Sequence, residues 1–234
     1  MSAPATAVLL SGGLDSAVLV AEEAARAEVH PLYVKVGLAW EAAEHAMLTQ
    51  LLRHRAYQGR VRPIVALAVD MTDVYPTGHW AMTGRPPAYH TPDEDVYLPG
   101  RNIALLSKAA MHCAVVGVHR LAVGTLAHNP FPDATPAFRL ALAHALSLGL
   151  AHQIQIDAPY AQVGKADVIR RGRVLDVPFE FTLSCMNPQF MDRADLVQHC
   201  GLCSKCHERH DAFVAAGVAD PTSYQDRSHV GPGR

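Results

Sequence analysis

Leu9-Leu10-Ser11-Gly12-Gly13-Leu14-Asp15-Ser16 is the stretch around which the chain is organised. It follows the aliphatic run Thr6-Ala7-Val8-Leu9-Leu10 and opens into Ala17 to Arg26, which reads as a helix. Strand, tight turn, helix is the geometry that presents free backbone N–H groups to an anion. Gly12 and Gly13 carry no Cβ, so the turn can be tight and a phosphate can approach the backbone. Ser11 and Ser16 add hydroxyl donors, and Asp15 can cap the helix or help hold a hydrated Mg²⁺ beside a pyrophosphate. A Gly-Gly-x-Asp turn by itself is an ordinary strand-to-helix connection. The full Ser-Gly-Gly-x-Asp-Ser after the first strand points to phosphate binding instead. There is no Walker loop, because Gly164-Lys165 is followed by Ala166.

The 234 residues suit one α/β domain with a small appendage. Half are hydrophobic and 18% are charged, which permits a sizeable core and argues against disorder. A formal net charge of −2 argues against a protein built to grip nucleic acid, so no stable nucleic-acid binding is expected. No secretory signal is visible and no apolar run reaches membrane-spanning length, so a cytoplasmic protein is expected. Three of the five Cys cluster as Cys200-x-x-Cys203-x-x-Cys206, which favours a metal in a reducing compartment over a disulfide framework.

Along the chain, 30–36 reads as a second strand and 41–54 as an amphipathic helix. Trp40, Glu41 and Glu44 lie just beyond a strand end, where ligands bind in parallel sheets, but the expectation is a packing Trp with two solvated acids. Residues 62–69 read as a third strand. Residues 71–98, rich in Pro and Gly with the acidic run Asp93-Glu94-Asp95, read either as a lid or as a disordered insertion. Arg101 and Asn102 precede a helix over 103–116, an anion-friendly place where Arg adds a planar fork. Cys113, inside that helix, reads as a core thiol. A fourth strand over 119–125 leads into a loop holding Phe131 and Asp133, a stacking ring and an acid suited to a flat heterocycle with N–H donors. A helix from Pro136 to about 148, a short strand over 153–156 and a short helix over 164–172 follow. Lys165 opens that last helix, as a phosphate-reaching or a solvated lysine. Alternating strands and helices predict a Rossmann-like parallel sheet with helices on both faces, over residues 1–178.

Residues 179–234 form the predicted C-terminal module. Cys185, Cys200, Cys203 and Cys206 give Cys-x14-Cys-x2-Cys-x2-Cys, a set that closes a tetrahedral structural Zn²⁺ site, with an iron–sulfur cluster as the competitor. Gly201 serves the turn. His199, His207 and His210 lie nearby and are not needed as ligands.

Several motifs carry a resemblance. Ser11 to Ser16 is similar to the pyrophosphate-binding loop of the N-type ATP pyrophosphatases. With Pro99-Gly100-Arg101-Asn102, Lys165-Ala166-Asp167, Ser184-Cys185, the three clustered Cys and Asp220-Pro221 in that order, the chain from residue 6 to about 221 resembles the 7-cyano-7-deazaguanine synthase family of queuosine biosynthesis. The resemblance implies an ATP-dependent C–N ligase. ATP adenylates 7-carboxy-7-deazaguanine, ammonia gives the amide, and a second activation gives the nitrile. Ser11, Gly12, Gly13, Leu14, Asp15 and Ser16 would hold the phosphates with Mg²⁺. Asp15, Lys165 and Arg101 would be the catalytic groups, and Arg101, Asn102, Phe131 and Asp133 would meet the substrate. A homodimer is also implied. Two loops depart from the family pattern. Thr135 stands at an Arg position, and Val36-Gly37-Leu38-Ala39-Trp40 replaces Tyr-Gly-Gln-x-His. These changes keep open a ligase that stops at the amide or joins the acyl group to another amine, such as one on a protein. An RNA sulfur transferase and a zinc-bearing adaptor without turnover are the remaining alternatives.

Overall fold

The computed structural model describes residues 5–191 and 196–230. The first strand, β1 (Ala5–Leu9), is buried on both faces, which is why its sequence is apolar without alternation. It runs into α1 (Leu14–Ala24), then β2 (Glu28–Lys35), α2 (Glu41–Leu51) and β3 (Val65–Ala68). After α3 (Trp80–Thr83) come α4 (Arg101–Val116), β4 (Arg120–Ala122), α5 (Pro136–Leu150), β5 (Gln155–Asp157) and α6 (Lys165–Val174). A two-stranded hairpin, β6 (Gln189–Phe190) with β7 (Val197–Gln198), precedes α7 (Ser204–Ala216). The expected fold is therefore present, with strand ends displaced by a few residues and the small hairpin added.

The main sheet is parallel throughout, in the order β3-β2-β1-β4-β5. The chain winds outward from β1 to β3 and then returns to place β4 on the other side of β1. That reversal between β1 and β4 is the topological switch point, where a crevice opens at the strands' carboxyl ends. One face of the sheet packs through Val8, Val29 and Tyr33 against α1, in one apolar cluster with α6 and α7 outside it. The other packs through Ala7 and Leu32 against α4 and α5. Cys113 is fully buried there, and burial pushes its thiol up to about 12, as befits a core thiol.

Residues 71–98 are ordered over the mouth of the crevice. Met71, Tyr75, Tyr89, Val96 and Leu98 are buried in one cluster with the end of β2 and the cysteines. Ala88 pairs with Cys203 in an antiparallel bridge, and Ser204 N donates to Pro87 O at 3.3 Å. The expectation of a disordered insertion fails because this stretch buries its aromatics against the C-terminal part of the chain instead of exposing them.

That C-terminal part is fastened by Arg209, which is fully buried. Its guanidinium donates to Thr222 Oγ1 (2.6 Å), Thr182 Oγ1 (2.9 Å) and Phe179 O (2.9 Å). Phe179 and Phe213 meet edge to face in the same cluster as α1 and α6. Gly172 on α6 has no room for a side chain, since a Cβ would stand 2.6 Å from both Phe179 and Val18.

Candidate active site and metal centre

The Ser11–Ser16 turn lies at the switch point. Gly12 adopts φ +83°, a left-handed conformation that a side chain would strain. Gly13 is extended and forms the N-cap of α1. Contrary to one expectation, Asp15 does not cap the helix; it sits in the first turn, and no side chain caps α1. Ser16 Oγ instead donates to Gly13 O (3.1 Å), and Gly13 N donates to Ser11 Oγ (3.4 Å). The N–H groups of the first helical turn have no intrahelical acceptor, which leaves them for an anion. Across the crevice, Gly124 follows β4. A Cβ there would stand 3.3 Å from Asp15 Cβ and Ser16 N, so a bare backbone is what lets the two elements approach.

The crevice has two lobes, of about 250 and about 300 Å³, that share Ser11, Gly13, Asp15, Glu44, Arg101 and Phe131 among their walls. The first is floored by apolar strand ends, including Leu9, Leu32, Val34 and Val123. The second is polar, with Lys165, Lys205, Glu208 and Asp93 facing Trp40 and Trp80. The two indoles lie parallel, with centroids 5.9 Å apart. Every site residue singled out from the sequence outside the cysteine group, except Gly12, lines one lobe or the other.

Among the described residues, two polar atoms in this crevice are buried without a hydrogen-bond partner: Asp15 Oδ1 and Arg101 Nε. Burial raises the Asp15 pKa, and the Lys165 ammonium, 3.7 Å from Oδ2, offsets part of that. For Lys165, burial works to lower the pKa, but Asp15 and Glu208 outweigh it and hold the ammonium charged. Lys165 Nζ donates to Glu208 Oε1, so it is not a solvated surface lysine. Burial opposes ionisation of Glu208, yet Lys165 and Lys205 pull its carboxyl down to about 2. An orphaned carboxylate oxygen fits a hydrated cation, and an orphaned guanidinium N–H fits an anion. The residues present therefore suit Mg²⁺ with a polyphosphate.

Asp133 is buried, and both of its oxygens accept from Asn102, one from the backbone N–H and one from the side-chain amide, each at 3.1 Å. This pins the start of α4, where Gly100 at φ +79° turns the chain into the helix. Phe131 stacks on Tyr97 with centroids 5.2 Å apart. Thr135, at the position expected to carry Arg, caps α5 by accepting from Phe138 N (3.2 Å).

The expectation of two solvated acids beside Trp40 is corrected here. Trp40 does pack, but Glu44 is only 7% exposed and faces the crevice. Burial pushes its carboxyl up to about 7, and the Arg101 charge and the Tyr33 hydrogen bond (2.6 Å) offset part of that rise. Glu41 Oε1 accepts from Val36 N (2.6 Å) and Gly37 N (3.0 Å), tying α2 to the end of β2. Sequence reading missed the burial of Glu44 because Tyr33, whose hydroxyl donates to it, lies on β2 and not on its own helix. Glu208 and Lys205 were missed because nothing local shows that α7 reaches the crevice.

The four cysteines converge. Their sulfurs all lie within 4.8 Å of one another, and every one is buried. Cys203 to Cys206 is 3.5 Å, Cys200 to Cys206 is 3.9 Å and Cys203 to Cys185 is 4.0 Å. A tetrahedron with Zn–S bonds of about 2.3 Å has edges of about 3.8 Å, so the set could hold a metal such as zinc. Backbone N–H groups of Cys200 and Asn187 point to Cys185 Sγ at 3.2 and 3.3 Å, supporting a thiolate. Gly201, at φ +80°, is obligatory, since a Cβ would fall 1.9 Å from Asp226 O. Two of the neighbouring histidines are engaged elsewhere: His199 Nε2 accepts from Ser184 N (3.1 Å) and His207 Nδ1 lies 2.9 Å from Tyr89 O, while His210 Nδ1 lies 3.7 Å from Asp220 without a hydrogen bond. Four thiolates on such a metal would leave no open coordination position, as structural centres require.

These features define a class: a doubly wound α/β protein with a glycine turn at its switch point and a four-cysteine centre beside it. The family is narrower. Residues 5–217 match the family described as queuosine biosynthesis protein QueC, and the chain belongs to it. A protein of Azoarcus sp. (strain BH72) named 7-cyano-7-deazaguanine synthase is 34% identical over 96% of this chain and 98% of its own length. Its namesake in Anaeromyxobacter dehalogenans is 35% identical over 93% and 94%. One from Methanopyrus kandleri is 32% identical over 94% of this chain and 98% of its own length. Among the described residues, no helix is long and apolar enough to cross a membrane.

Proposed function

We propose that this chain is an ATP-dependent 7-cyano-7-deazaguanine synthase. The observation that carries the reading is the meeting of Asp15, Lys165 and Arg101 around the switch-point turn, with Asp15 Oδ1 and Arg101 Nε left for ligands. Family membership and the names of the relatives support it. A carboxylate is a poor electrophile until one oxygen becomes a leaving group. The carboxylate oxygen of 7-carboxy-7-deazaguanine attacks the α-phosphorus of ATP and pyrophosphate departs. Ammonia then attacks the acyl carbon, and AMP leaves with the bonding electrons. The amide oxygen then attacks the α-phosphorus of a second ATP and a second pyrophosphate departs. As the nitrogen loses its two protons the C–N triple bond forms, the C–O bond breaks and AMP leaves with the oxygen.

Such chemistry needs positioning, charge neutralisation and exclusion of water more than a protein nucleophile. Bound Mg²⁺ would supply charge neutralisation along the pyrophosphate. The Ser11–Ser16 turn and Lys165 bind the phosphates, and Asp15 offers its free oxygen to the hydrated cation. Arg101, at the start of α4, serves the anionic part of either substrate. Phe131 offers a ring face to the base, and Asn102 with Asp133 fixes that side of the crevice. The four cysteines would hold Zn²⁺, tying the start of α7 to residue 185.

A mass-spectrometric product assay tests this reading. Purified protein, Mg-ATP, ammonium and 7-carboxy-7-deazaguanine are combined, and base and nucleotide products are read together. Nitrile with AMP is the expected result. Amide alone would mean that the second activation is absent, and an untouched base would remove the proposed substrate.

A further inference from the structure

An alternating chain of charges crosses the polar lobe and joins three parts of the sequence. Lys165 Nζ stands 3.7 Å from Asp15 Oδ2 and donates to Glu208 Oε1. Lys205 Nζ donates to Glu208 Oε2 at 2.8 Å and to Asp93 Oδ1 at 2.7 Å. One carboxylate thus holds two ammonium groups, one through each oxygen. Lys205 lies between Cys203 and Cys206, and Glu208 lies one helical step further on the same face of α7. The buried Arg209, adjacent in sequence, locks that helix to residues 179–184 and 222. The direction in which Glu208 points is therefore set by the metal module.

The geometry points to Glu208 as the positioning residue for Lys165, so that the metal-module helix and the sheet together build the phosphate end of the crevice. The inference rests on the reading of Lys165 as a phosphate-binding group. A lysine side chain has four rotatable carbons and a compact charge, so its ammonium goes where the nearest carboxylates hold it. Without Glu208 the nearest is Asp15. Collapse onto Asp15 would occupy the carboxylate that has to remain open, and would withdraw the ammonium from the middle of the lobe. With Glu208 in place the ammonium stands between two acids, and Asp15 Oδ1 keeps no partner. Lys205 and Asp93 brace Glu208 from the far side, which also ties residues 71–98 to the same network.

The test uses full-length, metal-loaded protein in three variants: Lys165→Met, Glu208→Gln and Glu208→Asp. Mg-ATP binding is measured at equilibrium. KM for ATP, KM for 7-carboxy-7-deazaguanine, kcat, zinc content and Tm are then compared. Glu208→Gln is expected to weaken Mg-ATP binding and raise its KM roughly tenfold, the size of a lost charge-assisted hydrogen bond. KM for the base should change less than about twofold, with zinc content intact, and Glu208→Asp should recover part of the loss. Unchanged ATP parameters in Glu208→Gln would overturn the inference. So would an equal rise in both KM values or a loss of zinc, since either would mark a merely structural role. Lys165→Met separates the two levels of the argument. If that variant binds Mg-ATP normally, the reading of Lys165 itself fails. If it loses binding while Glu208→Gln does not, only the positioning role fails.

Discussion

The glycine turn at residues 11–16 and the cysteine group at residues 185–206 stand side by side, and Leu183 N donates to Gly12 O at 2.8 Å between them. They handle polar atoms in opposite ways. Around the turn, Asp15 Oδ1 and Arg101 Nε are buried without partners, and Glu44 is held near neutrality by its surroundings. In the cysteine group the four sulfurs face one another, and backbone N–H groups reach Cys185 and Cys200. An open set of groups serves something that arrives and leaves. A closed set holds something that stays.

Substituting Asp15 gives the sharpest break between the two regions. Asp15→Ala removes a carboxylate whose ionic partner Lys165 retains Glu208. Turnover should fall by roughly 10²–10³-fold or more, while Tm and zinc content stay close to wild type. Comparable activity in the variant would show that the turn does not hold the reacting groups. Cys203→Ala should behave the other way. It opens the closed set by removing one of the four sulfurs, so metal content and stability should fall together, the latter by on the order of 4 kcal/mol. Full metal occupancy after that substitution, measured by elemental analysis, would refute the four-sulfur assignment.

The contrast also explains what could be read in advance. The turn and the cysteine spacing were legible because each is local. Gly12 must take a positive φ and Gly201 has no room for a Cβ, so sequence and geometry are tied within a few residues. The sheet was legible from its apolar strands, and the switch point follows from the order in which they pair. Glu44, Lys205 and Glu208 were not legible. Glu44 lies on a helix whose acids look solvent-facing until Tyr33 and Arg101 are folded over it. Lys205 and Glu208 reach the crevice because α7 packs on α6, which in turn packs on α1, a contact between segments apart in the chain. Likewise, residues 71–98 lack periodicity because their aromatics bury against the cysteine module rather than along one helix or strand.

The smallest expected effect concerns Glu44 and bears on the open side of the comparison alone. Its carboxyl titrates at about 7 in the folded chain, against a usual value of 4.5. Between those values the folded protein keeps a proton that the unfolded chain has released. Stability therefore declines as pH rises through that window, and the decline is complete above about pH 7. Glu44→Gln keeps a side-chain oxygen for the Tyr33 hydroxyl and removes the charge. The variant should match wild type near pH 4.5 and exceed it above pH 7 by on the order of 1–3 kcal/mol. Urea midpoints taken from pH 4.5 to 8 would read the difference directly. Parallel curves for the two proteins would mean that Arg101 compensates the charge fully, and that the carboxylate is ionised in the crevice at neutral pH.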